Sequence, residues 1–339
     1  MLAGLVVELA LGDRNSMILF QDGSVWISAS KGFTQVIPSG ATAMAAGTGF
    51  SFVLKQDDTV WATGRNWRGQ LGDGTKQKRF KFSFVRMLAG AKAVAAGGCH
   101  SMILTDKGTI WASGCNKYGQ LGYESTIYRA KFFTVMASTL KPIAIAAGDF
   151  HSLVVKEDGS VWAAGRNQYG QLGDGSKNDR RSFVQAISSG AKDIAAGSHH
   201  SMMLKEDGSV WATGWNEYGQ LGDDSITDQI NYVQVISVGA KSVAAGSRHS
   251  MILKQDGSVW VTGYNEYGQL GSGWTLNSKA LVEVISADVQ AIAAGAYHSM
   301  VVKQDNRIWG AGSNKDGQLG FDSAMKTEAF VKLAIFDHG

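Results

Sequence analysis

The sequence has two cysteines and two prolines in 339 residues, few charges and no long apolar run. Each scarcity excludes something. Two cysteines cannot build a disulfide framework, and they favour a reducing compartment. Two prolines beside 43 glycines fit neither a collagen-like nor a low-complexity chain, so the glycines punctuate ordered elements. Charged residues make up 18% and the formal net charge is +3, which argues against wholesale coating of nucleic acid. No stretch approaches 18 uncharged apolar residues, so no membrane-spanning helix is expected. Met1 to Leu11 is apolar, but it has no basic start, carries Glu8 and is followed by no small-residue cleavage pattern. An intracellular chain, cytoplasmic or nuclear, is expected.

What the sequence does have is a repeat. A Trp preceded by Val or Ile recurs at Trp26, Trp61, Trp111, Trp162, Trp211, Trp260 and Trp309, spaced by 35, 50, 51, 49, 49 and 49 residues. Around each, the best copies read Ala-Ala-Gly-x-x-His-Ser-Met-x-Leu-Lys-x-Asp-Gly-Ser-Val-Trp-Ala-x-Gly-x-Asn-x-Tyr-Gly-Gln-Leu-Gly-Asp. Two short strands flank Asp207-Gly208, the chemistry of a tight hairpin. Ile194 to Gly197, with its small side chains, suits an inner strand, and Phe183 to Ile187 suits an outer one. Four strands per repeat of about 50 residues, without amphipathic helical periodicity, predict propeller blades. The expected fold is all-β: a single seven-bladed propeller of four-stranded blades covering residues 1–339. Val6 to Gly12 aligns with an inner strand and Phe330 to Ile335 with an outer one. The ring is therefore expected to close by pairing of the N- and C-terminal strands. Chain ends inside blade strands leave open that this is one domain of a longer protein.

Gly-x-x-His-Ser, then Asp-Gly-x-Val-Trp, then Gly-x-Asn-x-Tyr-Gly-Gln-Leu-Gly resembles the regulator of chromosome condensation repeat family over essentially the whole chain. The resemblance implies a seven-bladed propeller and leaves function open, since the family includes a Ran guanine-nucleotide exchange factor, an ultraviolet-B photoreceptor, ubiquitin-ligase modules and β-lactamase inhibitors. The photoreceptor's Gly-Trp-Arg-His-Thr motif is missing, because Ser198, Ser247 and Ala296 stand at its Trp. The exchange factor uses an inserted wedge, and apart from the first repeat the blade lengths here vary by at most two residues. The inhibitors are secreted, which requires a leader.

A residue present in every blade is explained by what every blade needs. His100, His151, His200, His249 and His298 share one repeat position, filled by Asn15 and Phe50 in the first two copies. Such residues stand apart around a ring, so they are read as structural hydrogen-bonding groups and not as metal ligands. The Trp residues and the Asn of Asn66, Asn116, Asn167, Asn216, Asn265 and Asn314 are read as scaffold too. No catalytic constellation, metal site or cofactor site is predicted.

Function is sought where the copies differ. The second residue between Gly and His runs Arg14, Gly49, Cys99, Phe150, His199, Arg248, Tyr297, and by pseudo-symmetry these line one end of the propeller. Arg14, Phe150, His199, Arg248 and Tyr297 are the candidate partner-binding residues, with hot-spot composition. A second asymmetry is a basic rim: Lys76, Lys78, Arg79, Lys81 and Arg86, then Arg129, Lys131, Lys177, Arg180 and Arg181. It contrasts with Asp223, Asp224 and Asp228 in a later repeat and suits an acidic partner, although a solvated surface is the favoured explanation of exposed charges. Support for nucleic acid is weak.

The first repeat lacks the Tyr-Gly-Gln-Leu-Gly segment after Ile27-Ser28-Ala29-Ser30-Lys31-Gly32, which predicts a notch, either a docking site or, as terminal position favours, a tolerated deletion. Cys99 and Cys115 flank the Lys107-Gly108 turn. A two-residue loop sets Cys99 opposite Asn116, a three-residue loop sets it opposite Cys115, and free buried thiols are the default. The chain is read as a monomeric, non-enzymatic module that binds another protein. Exchange of guanine nucleotide on a Ran-like GTPase is the first alternative and secreted β-lactamase inhibition the second.

Overall fold

Each repeat folds into one four-stranded antiparallel sheet, and seven of these blades stand around an axis. The structure, a computed structural model, describes residues 4–29, 32–85, 90–321 and 325–335. Arg86, Ser30 and Lys31 lie outside the described residues. The blades span 6–37, 41–85, 91–137, 142–187, 191–236, 240–285 and 289–332. Strands are lettered A to D from the axis outward. In blade 5 they are A Ala191–Ala196, B His200–Lys205, C Val210–Gly214 and D Gln229–Ile236.

Residue type follows position. Strand A is alanine-rich because blades converge at the axis. Strand B is packed on both faces and reads as a near-continuous apolar run, with Met202, Met203 and Leu204 buried. The Asp-Gly hairpin is a three-residue loop: Lys205 donates its amide to the Ser209 carbonyl (2.9 Å), and Gly208 sits at φ 77°. Asp207 accepts the Ser209 amide (2.8 Å), while the Trp211 indole donates to Ser209 Oγ (3.0 Å). Lys205 lies over the Trp211 ring. The recurring Trp and Lys thus lock the B–C hairpin.

The same loop type decides the cysteines. In blade 3 Leu104 faces Ile110 and His100 faces Gly114, which puts Cys99 opposite Cys115. Their Cα atoms are 5.4 Å apart and the sulfurs form a disulfide. The expectation of free thiols is corrected. Lys107-Gly108 belongs to a three-residue loop closed by Gly108 N–H on the Thr105 carbonyl.

Ring closure also differs from expectation. The N- and C-terminal strands do not pair. Val6–Leu11 is strand A of blade 1 and pairs with Ser16–Phe20, while Lys326–Lys332 is strand D of blade 7 and pairs with Ile308–Ser313. Every blade is built from consecutive strands, so the ring closes through packing. Leu11, Ile18 and Phe33 of blade 1 meet Met300, Val302 and Leu319 of blade 7. Comparable clusters fill the other gaps between blades, as Met251 and Leu253 do against Val289 and Val301.

Polar latches thread these apolar clusters. His100 Nε2 meets Ser152 Oγ at 2.8 Å, His151 meets Ser201 at 3.0 Å, His200 meets Ser250 at 3.0 Å, His249 meets Ser299 at 2.9 Å and His298 meets Ser16 at 2.9 Å. Each histidine reaches the serine of the following blade. Ser152 spends its proton on the Gln120 carbonyl (2.7 Å), so it accepts from His100. Each imidazole is therefore the neutral Nε2–H form. Asn15 makes the equivalent bond to Ser51 (3.3 Å), which is why Asn tolerates the position.

Burial holds His100 down to about 4 and His200, His249 and His298 to about 3, and His151 is lowered as well. The ordinary value is near 6.5. Above that pH both folded and unfolded states are neutral here. Below it the unfolded chain takes protons that the fold refuses, so stability falls with pH until the folded values are reached. Each histidine contributes up to about 1.4 kcal/mol per pH unit. Urea unfolding between pH 7 and pH 5 should show a steep loss, approaching five extra protons taken up. A flat profile would contradict buried neutral histidines.

Candidate functional site

The antiparallel order sends the A–B loops and the C–D loops to the same end of the ring. This end presents the residue before the His position in every blade, the residue after the last Gly of strand C in blades 2 to 7 and the Tyr of the Asn-x-Tyr segment in blades 3 to 6. The three columns come together in blades 3 to 7 as one arc of aromatic rings. Tyr118 contacts Phe150 (centroids 5.4 Å), and Phe150 stacks on His199 (6.4 Å). Tyr169 joins His199 and Trp215 at 5.4 and 5.7 Å. Trp215 leads to Tyr218 (5.3 Å), then Tyr264 (4.9 Å), Tyr267 (6.2 Å) and Tyr297 (5.2 Å).

Two arginines bind this arc together. Arg166 lies 5.1 Å from the Tyr118 ring and 5.9 Å from those of Phe150 and Tyr169. Arg248 lies 5.4, 5.3 and 5.6 Å from Trp215, Tyr218 and Tyr264. Such contacts fix side chains that would otherwise lose rotamer freedom on binding. Burial lowers the affinity of His199 for a proton, opposed by Asp149 and aided by Arg166, and leaves a neutral ring in the stack. Tyr264 donates to the Glu266 carboxylate, and burial together with that carboxylate raises its pKa. The arc is half-buried and aromatic, with Glu217 and Glu266 exposed beside it.

Of the predicted partner-binding residues, Phe150, His199, Arg248 and Tyr297 are brought together here. Arg14 is not, because it is exposed on blade 1 beside Asp13 (3.7 Å). Sequence reasoning missed Tyr118, Tyr169, Tyr218 and Tyr267, which recur and so do not stand out where the copies differ, and Arg166, Trp215 and Tyr264. A signal was present in the second group: that column runs Arg65, Cys115, Arg166, Trp215, Tyr264, Ser313 and varies as much as the column before the His.

The basic rim divides. Arg79 is held by Asp73 (Nε–Oδ2 2.6 Å) and Arg180 by Asp174 (2.6 Å), within their own loops. Arg129 packs on Tyr123 and Phe133, and Lys177 pairs with Asp228 (3.8 Å). Lys76, Lys78, Lys81, Lys131 and Arg181 remain exposed. At the axis, Asp13, Asp149, Ser198 and Ser247 are among the residues around a well of about 80 Å³. That is far below the roughly 300–1,000 Å³ of small-molecule sites. Among the described residues no group of three or more His, Cys, Asp or Glu is placed to hold a metal. Among the described residues no helix is long and apolar enough to cross a membrane.

Comparison with known proteins agrees with this architecture. The family model described as RCC1-like domain matches residues 2–279, and that of the regulator of chromosome condensation (RCC1) repeat matches 289–318. Yeast RCC1 (Prp20), solved with Kap60 bound, is similar at TM-score 0.78 and 22% identity, over 87% of this chain and 75% of that one. Prp20p from Saccharomyces cerevisiae, studied for binding to Gsp1p and histones, gives 0.76 and 22%, over 86% and 76%. Human WBSCR16 gives 0.80 and 23%, over 89% and 84%. No curated protein matches the sequence.

Cys99 and Cys115 belong to two of the three columns that build this face. Alkylation of the unreduced, denatured chain should leave both cysteines unlabelled, and a proteolytic digest should contain them as one linked pair. Reduction should cost about 3 kcal/mol of stability, the value for a loop of this length. Two alkylated cysteines would contradict the pairing.

Proposed function

The chain belongs to the RCC1-like domain family, and from that premise we propose that it is a non-enzymatic module that binds another protein through the aromatic–arginine arc. The arc is the observation that carries this reading. It joins Tyr, Trp and Arg, the residue types enriched at binding hot spots, in one continuous, preorganised, partly exposed surface. The rigid ring beneath it holds the loops in place, so little ordering remains to be done on binding. The axial well at this end, about 80 Å³, is too small for an ordinary small-molecule ligand.

Yeast Prp20 binds proteins, Kap60 among them, and a protein partner for this chain is consistent with that. Exchange activity on a small GTPase is the second reading, favoured by family membership. The reducing compartment expected from so few cysteines loses support, because the two form a disulfide.

Arg248→Ala and Tyr218→Ala are expected to weaken capture of the native partner by tenfold or more, while the midpoint of thermal unfolding moves by only a few degrees. Tyr297→Ala, at the end of the arc, should act in the same direction. Affinity purification with mass spectrometry identifies the partner, and titration of the purified pair measures the loss. If the captured protein is a GTPase, nucleotide release with and without the chain separates exchange from simple binding. Unaltered affinity in all three variants would remove this face from consideration.

A further inference from the structure

In blades 2 to 6 the segment after strand C does more than turn the chain. It leaves its own blade and lies as a strap across strand D of the next. Asp73 bridges to Lys131, Tyr123 to Ser182, Asp174 to Asn231, Asp223 to Ala280 and Ser272 to Ala329. The carbonyl one residue before each bridge accepts a strap amide: Gly74 N–H meets Ala130 O at 2.8 Å, and Gly273 N–H meets Glu328 O at 2.8 Å. The side chain one residue after it lies under the glycine that precedes the bridging strap residue. Gly72, at φ 68°, leaves its Cβ position to the Phe132 ring. The blade 7 strap reaches blade 1 in the same way, Gly320 over Phe33.

Blade 1 has no strap to give, since its strand C ends at Ala29 and its strand D begins at Gly32. Arg79 pairs with Gly64 as Arg129 does with Gly114, so Phe80, Lys81 and Phe82 of blade 2 stand where Ala130, Lys131 and Phe132 stand in blade 3. Among the described residues no bridge reaches Lys81. Phe80 is 84% exposed. With Ile27, Val36 and Trp61, Phe80 and Phe82 form the apolar walls of a cleft of about 610 Å³ between blades 1 and 2. Lys55 and Lys81 also line it, and among the described residues no carboxylate does. Lys78 lies 4.8 Å from the Phe80 ring.

We propose that this cleft is a docking site, separate from the arc, that takes an extended acidic segment of a partner protein as a strap supplied in trans. An outer strand left uncovered is a template for strand addition. Its neighbours in the same ring show the geometry that such a segment adopts. The apolar walls select apolar side chains, and lysines without a carboxylate among them select acidic ones. A merely tolerated deletion leaves the same cleft but gives it no ligand.

The test uses the full chain and a fluorescein-labelled peptide copying residues 217–226, an acidic strap of this protein. Anisotropy should show saturable binding, weakened at least tenfold by Phe80→Asp, by Lys81→Glu, or by replacing the peptide's aspartates with lysine. Phe80 is exposed, so an unchanged circular-dichroism melt is expected to accompany the loss. Hydrogen exchange should show the Phe82 amide slowed when peptide is bound. No saturation at millimolar peptide, equal affinity for both variants, or protection confined to the arc would overturn the proposal. Dimerisation of the free chain that is abolished by Phe80→Asp would assign the cleft to a second copy and overturn the partner form. Tight binding of single-stranded DNA in place of the peptide would do the same.

Discussion

The rest of the structure depends on the latch between blades: a histidine donating to the next blade's serine, which donates in turn to a strap carbonyl. Hydrophobic burial makes the blades adhere, but it is non-directional and would tolerate sliding or a change in blade number. The latch supplies direction. Ser152 has one proton and Gln120 O takes it, so only a donor on the other side satisfies the hydroxyl. A neutral Nε2–H imidazole, buried and hard to protonate, is that donor. One residue type at one repeat position thus fixes the relation of a blade to the next at five junctions, with Asn15 in its place in blade 1 and Phe50 in blade 2.

The strap completes the same logic on the outside. Its asparagine folds the loop: Asn216 Oδ1 receives the Leu221 amide (3.0 Å), and its Nδ2 binds Asp223 (2.9 Å). Its leucine is buried in the gap between blades, as Leu71 shows in a cluster with Ile103 and Phe132 of blade 3. The gap between blades 1 and 2 is the exception, because the donor blade is shortened. There Asn15 replaces the histidine and no strap crosses. The uncovered cleft is the consequence of one shortened repeat.

Seven blades and four strands were legible in the sequence, because Trp spacing, Asp-Gly turns and alanine-rich inner strands are each local. Two features were not. Closure by strand pairing was inferred from an alignment of termini, which gives strand position but not partner. Side-chain packing between blade 7 and blade 1 closes the ring without it. The disulfide turned on loop length, and Lys107-Gly108 is compatible with either register until Thr105 is seen to accept the Gly108 amide. The candidate site was half legible. Phe150, His199, Arg248 and Tyr297 stood out because their column varies, whereas Tyr118, Tyr169, Tyr218 and Tyr267 recur and so drew no attention. A residue can recur and still reach the surface, where four copies add up to a stripe that no single blade displays. Arg14 varied and yet belongs to no cluster.

The division between latching residues and binding residues is tested most directly by the footprint of the bound native partner. Hydrogen exchange of the complex against the free chain should slow amides in the loops that carry Tyr118, Phe150, Arg166, Trp215, Arg248 and Tyr264. The B–C hairpins at the opposite end, Asp158-Gly159 and Asp207-Gly208 among them, should exchange as before. Protection of those hairpins with the arc unchanged would contradict the account.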